Sequence, residues 1–177
     1  SAHVLFNHLG YARPEVCFHT RSGELRVARA GKRLSMDLPA RPADRCDVPA
    51  GLESALGARP QTVLKARDLL CVFESEQQVR ELKPRFAEIA ALGVHAVIVT
   101  APGRDCDFVS RFFAPSVGVD EDPVTGSAHC TLVPYWNQVL GKTTMTARQV
   151  SARGGELDCT LREDRVILAG NAITVLE

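Results

Sequence analysis

From Gly126 to Gly141 the chain reads GSAHCTLVPYWNQVLG, and its apolar residues do not keep to one side. Ala128, Cys130, Leu132, Val133, Trp136, Val139 and Leu140 spread around a helix drawn at 3.6 residues per turn. Such a helix has little face to give to water, so the rest of the chain must wrap it. Gly141 supplies the stop, and Pro134 is expected to kink the helix by removing an interior hydrogen bond. Leading in is Asp120-Glu121-Asp122-Pro123-Val124-Thr125: three carboxylates, a proline turn and a hydroxyl. Thr-Gly-Ser at a helix start leaves free backbone N–H groups beside the positive end of the helix dipole, which suits a carboxylate or phosphate. The same residues also read as ordinary caps. Acids and hydroxyls gathered at the end of an encircled helix favour an opening into a pocket.

The wrapping is expected from strands. Ser1 to Leu9 reads as a helix stopped by Gly10, and segments 15–20, 25–27 and 34–38 alternate as a three-strand antiparallel meander with a turn at Ser22-Gly23. Residues 40–49 read as loop and 49–55 as a short helix ended by Gly57. Strands are predicted at 61–65 and 69–74. Ser75 and Gln78 form a capping box for a helical stripe, Val79, Leu82, Phe86, Ile89 and Leu92, which Pro84 splits and Gly93 closes. Strands follow at 94–100 and 107–113, and beyond the central helix 126–141 a second meander is predicted at 148–153, 156–161, 165–168 and 172–176.

The two meanders repeat. Leu9-Gly10 matches Leu140-Gly141, and Arg21 to Leu25 (RSGEL) matches Arg153 to Leu157 (RGGEL) at a nearly constant offset. Ser1 then pairs with Leu132, so the chain is expected to start inside the first of two units. Residues 1–45 are read as the remnant of an N-terminal half, and residues 46–177 as a C-terminal half around helix 126–141.

A formal net charge of +0 and the lack of a basic block argue against a nucleic-acid or membrane-surface partner. No apolar run approaches a membrane span. The six cysteines stand singly, without a C-x-x-C pair, which fits a reduced cytoplasmic protein and speaks against zinc. His3, His8 and His19 have no ligand-type spacing.

Asp120 to His129 (DEDPVTGSAH) resembles the signature of the PhzF (phenazine biosynthesis-like) family. Thr20 to Leu25, Asp107 to Pro115 (DFVSRFFAP) and Gln149 to Leu157 are similar to later segments of that family in the same order. The resemblance implies an α+β fold like that of diaminopimelate epimerase, in which an antiparallel barrel-like sheet wraps a central helix. Here that would be one complete half plus part of the other. It also implies an isomerase that moves a proton on a small carboxylate-bearing substrate without metal or organic cofactor.

Carried over by position, Asp122 matches the family's active-site Asp, and Gly126 and Ser127 its Gly-Ser. Asp122 and Ser127 are thus the expected catalytic residues, and Thr125, Gly126 and Ser127 the expected substrate-binding ones. Of the three, Thr125 reads more readily as a cap or loop brace. The family's proton-shuttling Glu has no counterpart in this chain. His129, one turn inside the helix, reads as an interior histidine, and the Arg153-Gly154-Gly155 run as a hairpin turn. No cysteine lies between Asp120 and Ser127, which removes the two-cysteine racemases as leading candidates. Two functions stand: a PhzF-like isomerase completed by an acid/base Glu from outside this chain, or a non-catalytic module that binds small acids or self-associates, with a homodimer expected from exposed strand edges.

Overall fold

The computed structural model describes residues 1–20 and 23–174. Its strands form one 11-stranded sheet, and two elements fix its shape: the second meander and the helix it encloses. Helix α5 (Gly126–Leu140) ends at Gly141, whose φ of 67° is the left-handed conformation a glycine adopts at little cost. Around it curve β6 (Leu69–Val72), β7 (Val97–Pro102), β8 (Phe108–Phe113), β9 (Thr144–Gln149), β10 (Gly155–Arg162) and β11 (Arg165–Gly170). Alternate residues of these strands, among them Leu70, Ile98, Phe108, Met145, Leu157, Val166 and Leu168, pack on Ala128, Leu132, Val133 and Trp136. Each fully buried aliphatic side chain contributes roughly 1.5–3 kcal/mol. Phe108 and Trp136 stack with ring centroids 5.7 Å apart. The Trp136 indole N–H donates to Thr100 Oγ1 at 3.0 Å, so the buried donor is satisfied.

The other face of β6–β8 is covered by α2 (Leu52–Leu56), α3 (Glu76–Glu81) and α4 (Phe86–Ala91), which bury Leu56, Val79, Ile89, Val97, Val99 and Phe113 in a second core. These strands are therefore apolar on both faces. The split between α3 and α4 falls around Pro84 as the sequence predicts.

A third core joins α1 (Ala2–Asn7) to β1 (Glu15–Thr20), β2 (Gly23–Ala30) and β3 (Arg33–Pro39), through Ala2, Phe6, Val16 and Val27. The first meander meets the second where β3 pairs antiparallel with β11, from Arg165↔Pro39 to Gly170↔Leu34. The sheet order is β1-β2-β3-β11-β10-β9-β8-β7-β6-β5-β4, and only β6·β7 and β8·β9 are parallel. This is the expected α+β architecture, a mostly antiparallel sheet wrapped about a helix.

Several expectations need correction. The first strand of the second meander is Thr144–Gln149, not 148–153. Beyond Gln149 the chain turns: the Ser151 hydroxyl donates to Pro123 O and accepts from Gly154 N, and Gly154 has a φ of 69°. No strand covers Ala172 to Thr174, while Val175 and Leu176, the end of the predicted strand 172–176, lie outside the described residues. So do Arg21 and Ser22, and with them part of the predicted first-hairpin turn. The stretch read as loop at 40–49 contains β4 (Asp44–Arg45), paired with β5 (Thr62–Lys65).

The helix also runs on through Pro134 from Gly126 to Leu140. The carbonyl that a residue-134 amide would have taken, that of Cys130, accepts instead from the Arg41 backbone N–H at 2.8 Å. The missing rung is replaced from outside the helix.

Candidate functional site at the start of the central helix

The acid-rich loop leaves β8, passes a short 3-10 turn at Pro115–Val117 and delivers the chain to α5. Its three carboxylates part company. Asp120 is exposed. Glu121 turns to the other face of the sheet and takes a two-pronged hydrogen bond from Arg111, at 2.8 and 2.9 Å. Arg111 is itself fixed by donating to the carbonyls of Val79 and Leu82 in and after α3. Of the three, Asp122 is the one tied to the helix start. Its amide donates to Phe112 O at 3.0 Å, and its carboxylate Oδ2 accepts a short hydrogen bond from the Thr125 hydroxyl.

Gln149, fully buried at the end of β9, locks this arrangement. Its Oε1 accepts from Thr125 N at 2.8 Å, and its Nε2 donates to Asp122 O at 2.6 Å and to Thr125 Oγ1 at 3.1 Å. A hydroxyl carries one hydrogen, so a Thr125 Oγ1 that accepts from Gln149 must donate to Asp122. The direction of the chain Gln149→Thr125→Asp122 is thereby set. Thr125 occupies the N-cap position without using its side chain as a cap, so of the two sequence readings the loop brace is the one observed. Its hydroxyl is engaged inside the protein rather than open to a ligand.

The loop also packs hard on the β9–β10 turn. A Cβ added at Gly155 would lie 2.3 Å from Val124 Cγ2, which only glycine avoids. Arg153 in that turn is exposed, in line with the hairpin reading. Gly126 faces Met36, Leu38 and Leu168 of β3 and β11.

Ser127, half-buried, meets a residue that the sequence reading missed. Arg67, in the β5–β6 turn, donates from Nη2 to Ser127 Oγ at 3.3 Å. It is aimed by Asp68, buried, which accepts from Arg67 Nε and Nη2 at 3.2 and 3.0 Å and lies 2.7 Å from His95 Nδ1. Sixty positions of sequence separate Arg67 from Ser127, and no local pattern links them. Burial pushes the Cys130 thiol up, while the positive charges of Arg41, Arg67 and Arg165 pull it down. Three guanidinium groups therefore bear electrostatically on the first turns of α5, beside N–H groups that have no partner within the helix.

His129 is interior, as read. Its Nδ1 lies 2.8 Å from Thr125 O, a pure acceptor, so Nδ1 carries the proton. Burial lowers its pKa to about 4, which keeps the ring neutral. Nε2 and the Ser110 hydroxyl are buried without a hydrogen-bond partner among the described residues. On the outer face of the first hairpin, His19 gains neighbours that linear spacing did not reveal: Cys17 two residues before it, and Glu24 across the strand pair.

The sheet encircling a helix, and the acid and hydroxyls at that helix's start, define an epimerase/racemase-like fold of the α+β class. A protein from Agrobacterium radiobacter described as a probable proline racemase, solved with bound carbonate, superposes with a TM-score of 0.61 at 12% identity, covering 99% of this chain and 66% of its own, a likeness of fold alone. The profile of the family described as phenazine biosynthesis-like protein matches residues 1–177, and the chain belongs to that family. A PhzF-family protein from Enterococcus faecalis superposes with a TM-score of 0.94 at 40% identity, over 99% of this chain and 68% of that one. A protein of Pseudomonas aeruginosa described as an uncharacterized isomerase is 52% identical over 176 residues, which is 99% of this chain and 67% of the relative. The chain thus spans about two thirds of the length of the curated relatives it matches.

Proposed function

We propose that the chain carries half of the active site of an isomerase that moves a proton on a small carboxylate-bearing substrate, amino acid-like or cyclic. The observation that carries this reading is Asp122, half-buried and oriented by the Thr125 hydroxyl at the amide end of a wrapped helix. The substrate carboxylate would lie against the Gly126 and Ser127 amides, where the helix dipole and nearby guanidinium groups favour negative charge. Ser127 Oγ would hydrogen-bond the same group and help spread charge as a carbanion develops. Asp122 would handle the proton or orient the substrate amine, opposite a Glu beyond these 177 residues. The isomerase description of the Pseudomonas relative supports the reaction class. The chemistry is carried by side chains and needs no organic cofactor.

The test is a titration of the protein with small cyclic amino acids while amide resonances are followed. Shifts centred on Gly126 and Ser127, lost in Ser127→Ala and altered in Asp122→Asn, are expected. Shifts elsewhere, or none at millimolar ligand, would end the proposal.

A second reading is favoured by one observation. Val4 of helix α1 (44%) and Leu9 just beyond the helix (67%) are exposed, and β1 forms one edge of the sheet among the described residues. A module that self-associates through a second copy would cover both. Sedimentation velocity decides: a monomer at every concentration removes this reading.

A further inference from the structure

The β1–β2 hairpin shows opposite chemistry on its two faces. Val16, Phe18, Leu25 and Val27 point toward α1 and hold the strands in place. The outward face carries Cys17 and His19, two residues apart on β1, and Glu24 directly opposite His19 on β2. In a strand, residues i and i+2 share a face, and a cross-strand partner lies about 5 Å away. One thiol, one imidazole and one carboxylate therefore form a triangle on a backbone fixed from behind. One donor atom from each lies within 4.8 Å of the others. His19 Nδ1 is 3.7 Å from Glu24 Oε1.

We propose that Cys17, His19 and Glu24 bind a zinc-class divalent ion on the solvent face of the β1–β2 hairpin, with water as the fourth ligand. Tetrahedral zinc sets its donors roughly 3.5 Å apart, so the side chains must close by about 1 Å from their present spacing, and all three are exposed. The mixed sulfur, nitrogen and oxygen set selects a borderline ion over calcium or magnesium, which prefer oxygen alone. Exchange with water leaves room for the ion to come and go.

Binding is a proton exchange: the Cys17 S–H bond breaks, the thiolate sulfur binds the metal, and the proton goes to solvent. The ion must displace that proton, so affinity falls by up to about tenfold per pH unit on acidification. Among the described residues Glu15 and Arg26 flank the three side chains on this face, with Asp37 opposite Arg26 on β3 and itself paired with Arg165. Arg26 lies 3.4 Å from Glu24 and 3.6 Å from Glu15, and such exposed pairs are weak enough for Glu24 to exchange partners.

The experiment is a cobalt(II) titration of the reduced protein, followed by absorption and then by displacement with zinc(II). Expected are a thiolate-to-cobalt charge-transfer band and tetrahedral d–d bands, saturating at one ion per chain. Cys17→Ser abolishes the charge-transfer band, and His19→Gln or Glu24→Gln weakens binding by about tenfold or more. His3→Gln is the control. It alters a separate histidine pair, in which His3 and His8 both contact Thr174, and binding should not change. A band that survives in Cys17→Ser belongs to another thiol and overturns the proposal. So does the absence of any band at millimolar cobalt with circular dichroism unchanged.

Discussion

The chain builds a similar unit twice, a helix followed by a three-strand meander, and gives the two helices different surroundings. Helix α5 is enclosed by six strands, and its residues from Ala128 to Pro134 are all buried. Helix α1 packs on β1–β3, burying Ala2 and Phe6 and exposing Val4, with Leu9 exposed just beyond it. The contrast shows what complete enclosure demands. An enclosed helix cannot turn its polar groups to water, so they look for partners inside: Trp136 on Thr100, His129 Nδ1 on Thr125 O, and the loop before it on Gln149, while His129 Nε2 is buried without a partner among the described residues. The polar network at the α5 start is a product of that enclosure, whereas the side-chain contacts about α1, Asn7 with His3 and both His3 and His8 with Thr174, are exposed.

Substitutions can break or sharpen this contrast. Trp136→Ala should give the largest loss, about 3–5 kcal/mol in denaturant unfolding, because the enclosing strands cannot collapse into the gap. A loss below about 1 kcal/mol would mean that α5 is not tightly wrapped.

His129 comes next. Its folded pKa of about 4 lies below the ordinary 6.5, so the unfolded chain binds more protons between those values. The stabilisation is complete above pH 6.5 and is lost as pH falls toward 4, with a slope of up to about 1.4 kcal/mol per pH unit. The histidine contribution to that slope should vanish in His129→Gln. An unchanged acid profile in that variant would show that the ring is not held neutral by burial.

Gln149→Leu should cost about 1–3 kcal/mol by leaving the Thr125 amide and the Asp122 carbonyl unpaired. It should also disturb the Asp122 and Thr125 amide resonances while sparing the first meander. Val4→Ser, on the open side of α1, should change stability by less than about 0.5 kcal/mol in the monomer. A larger loss that grows with protein concentration would point to a partner on that face.

The sequence made the architecture legible where period and punctuation agree. The stripe broken at Pro84, the stop at Gly141, the first meander, strands 156–161 and 165–168 of the second, and the enclosed helix as far as Trp136 reappear in the fold, while Val139 and Leu140 in the last turn are exposed. The start of β9 was hidden because Thr143-Thr144-Met145-Thr146 reads as a polar linker. The threonines of Thr144–Thr146 in fact face outward about a buried Met145, a strand pattern in polar dress. The site was legible as a segment but not as a network. Asp122 and Ser127 could be named from the loop, whereas Gln149 and Arg67 reach it only through the register of β9 beside β8 and the closure of the β5–β6 turn. Three acids in a row also read alike, although Arg111 draws Glu121 away to the opposite face. Pairwise geometry of this kind leaves no local trace. For the same reason the clustering of Glu24 with Cys17 and His19 emerges only once β1 and β2 are paired.

The proline within α5 has a mechanical consequence. By leaving the Cys130 carbonyl without its rung, Pro134 opens a fastening point on the flank of the helix, and the Arg41 amide closes it at 2.8 Å. The segment fastened there carries the chain from the first meander across to β4, and its neighbour Ala40 is pinned to Asp164 O, also at 2.8 Å. A pull that peels the first meander from the sheet is thus transmitted to the second turn of α5 before the crossing segment can come free.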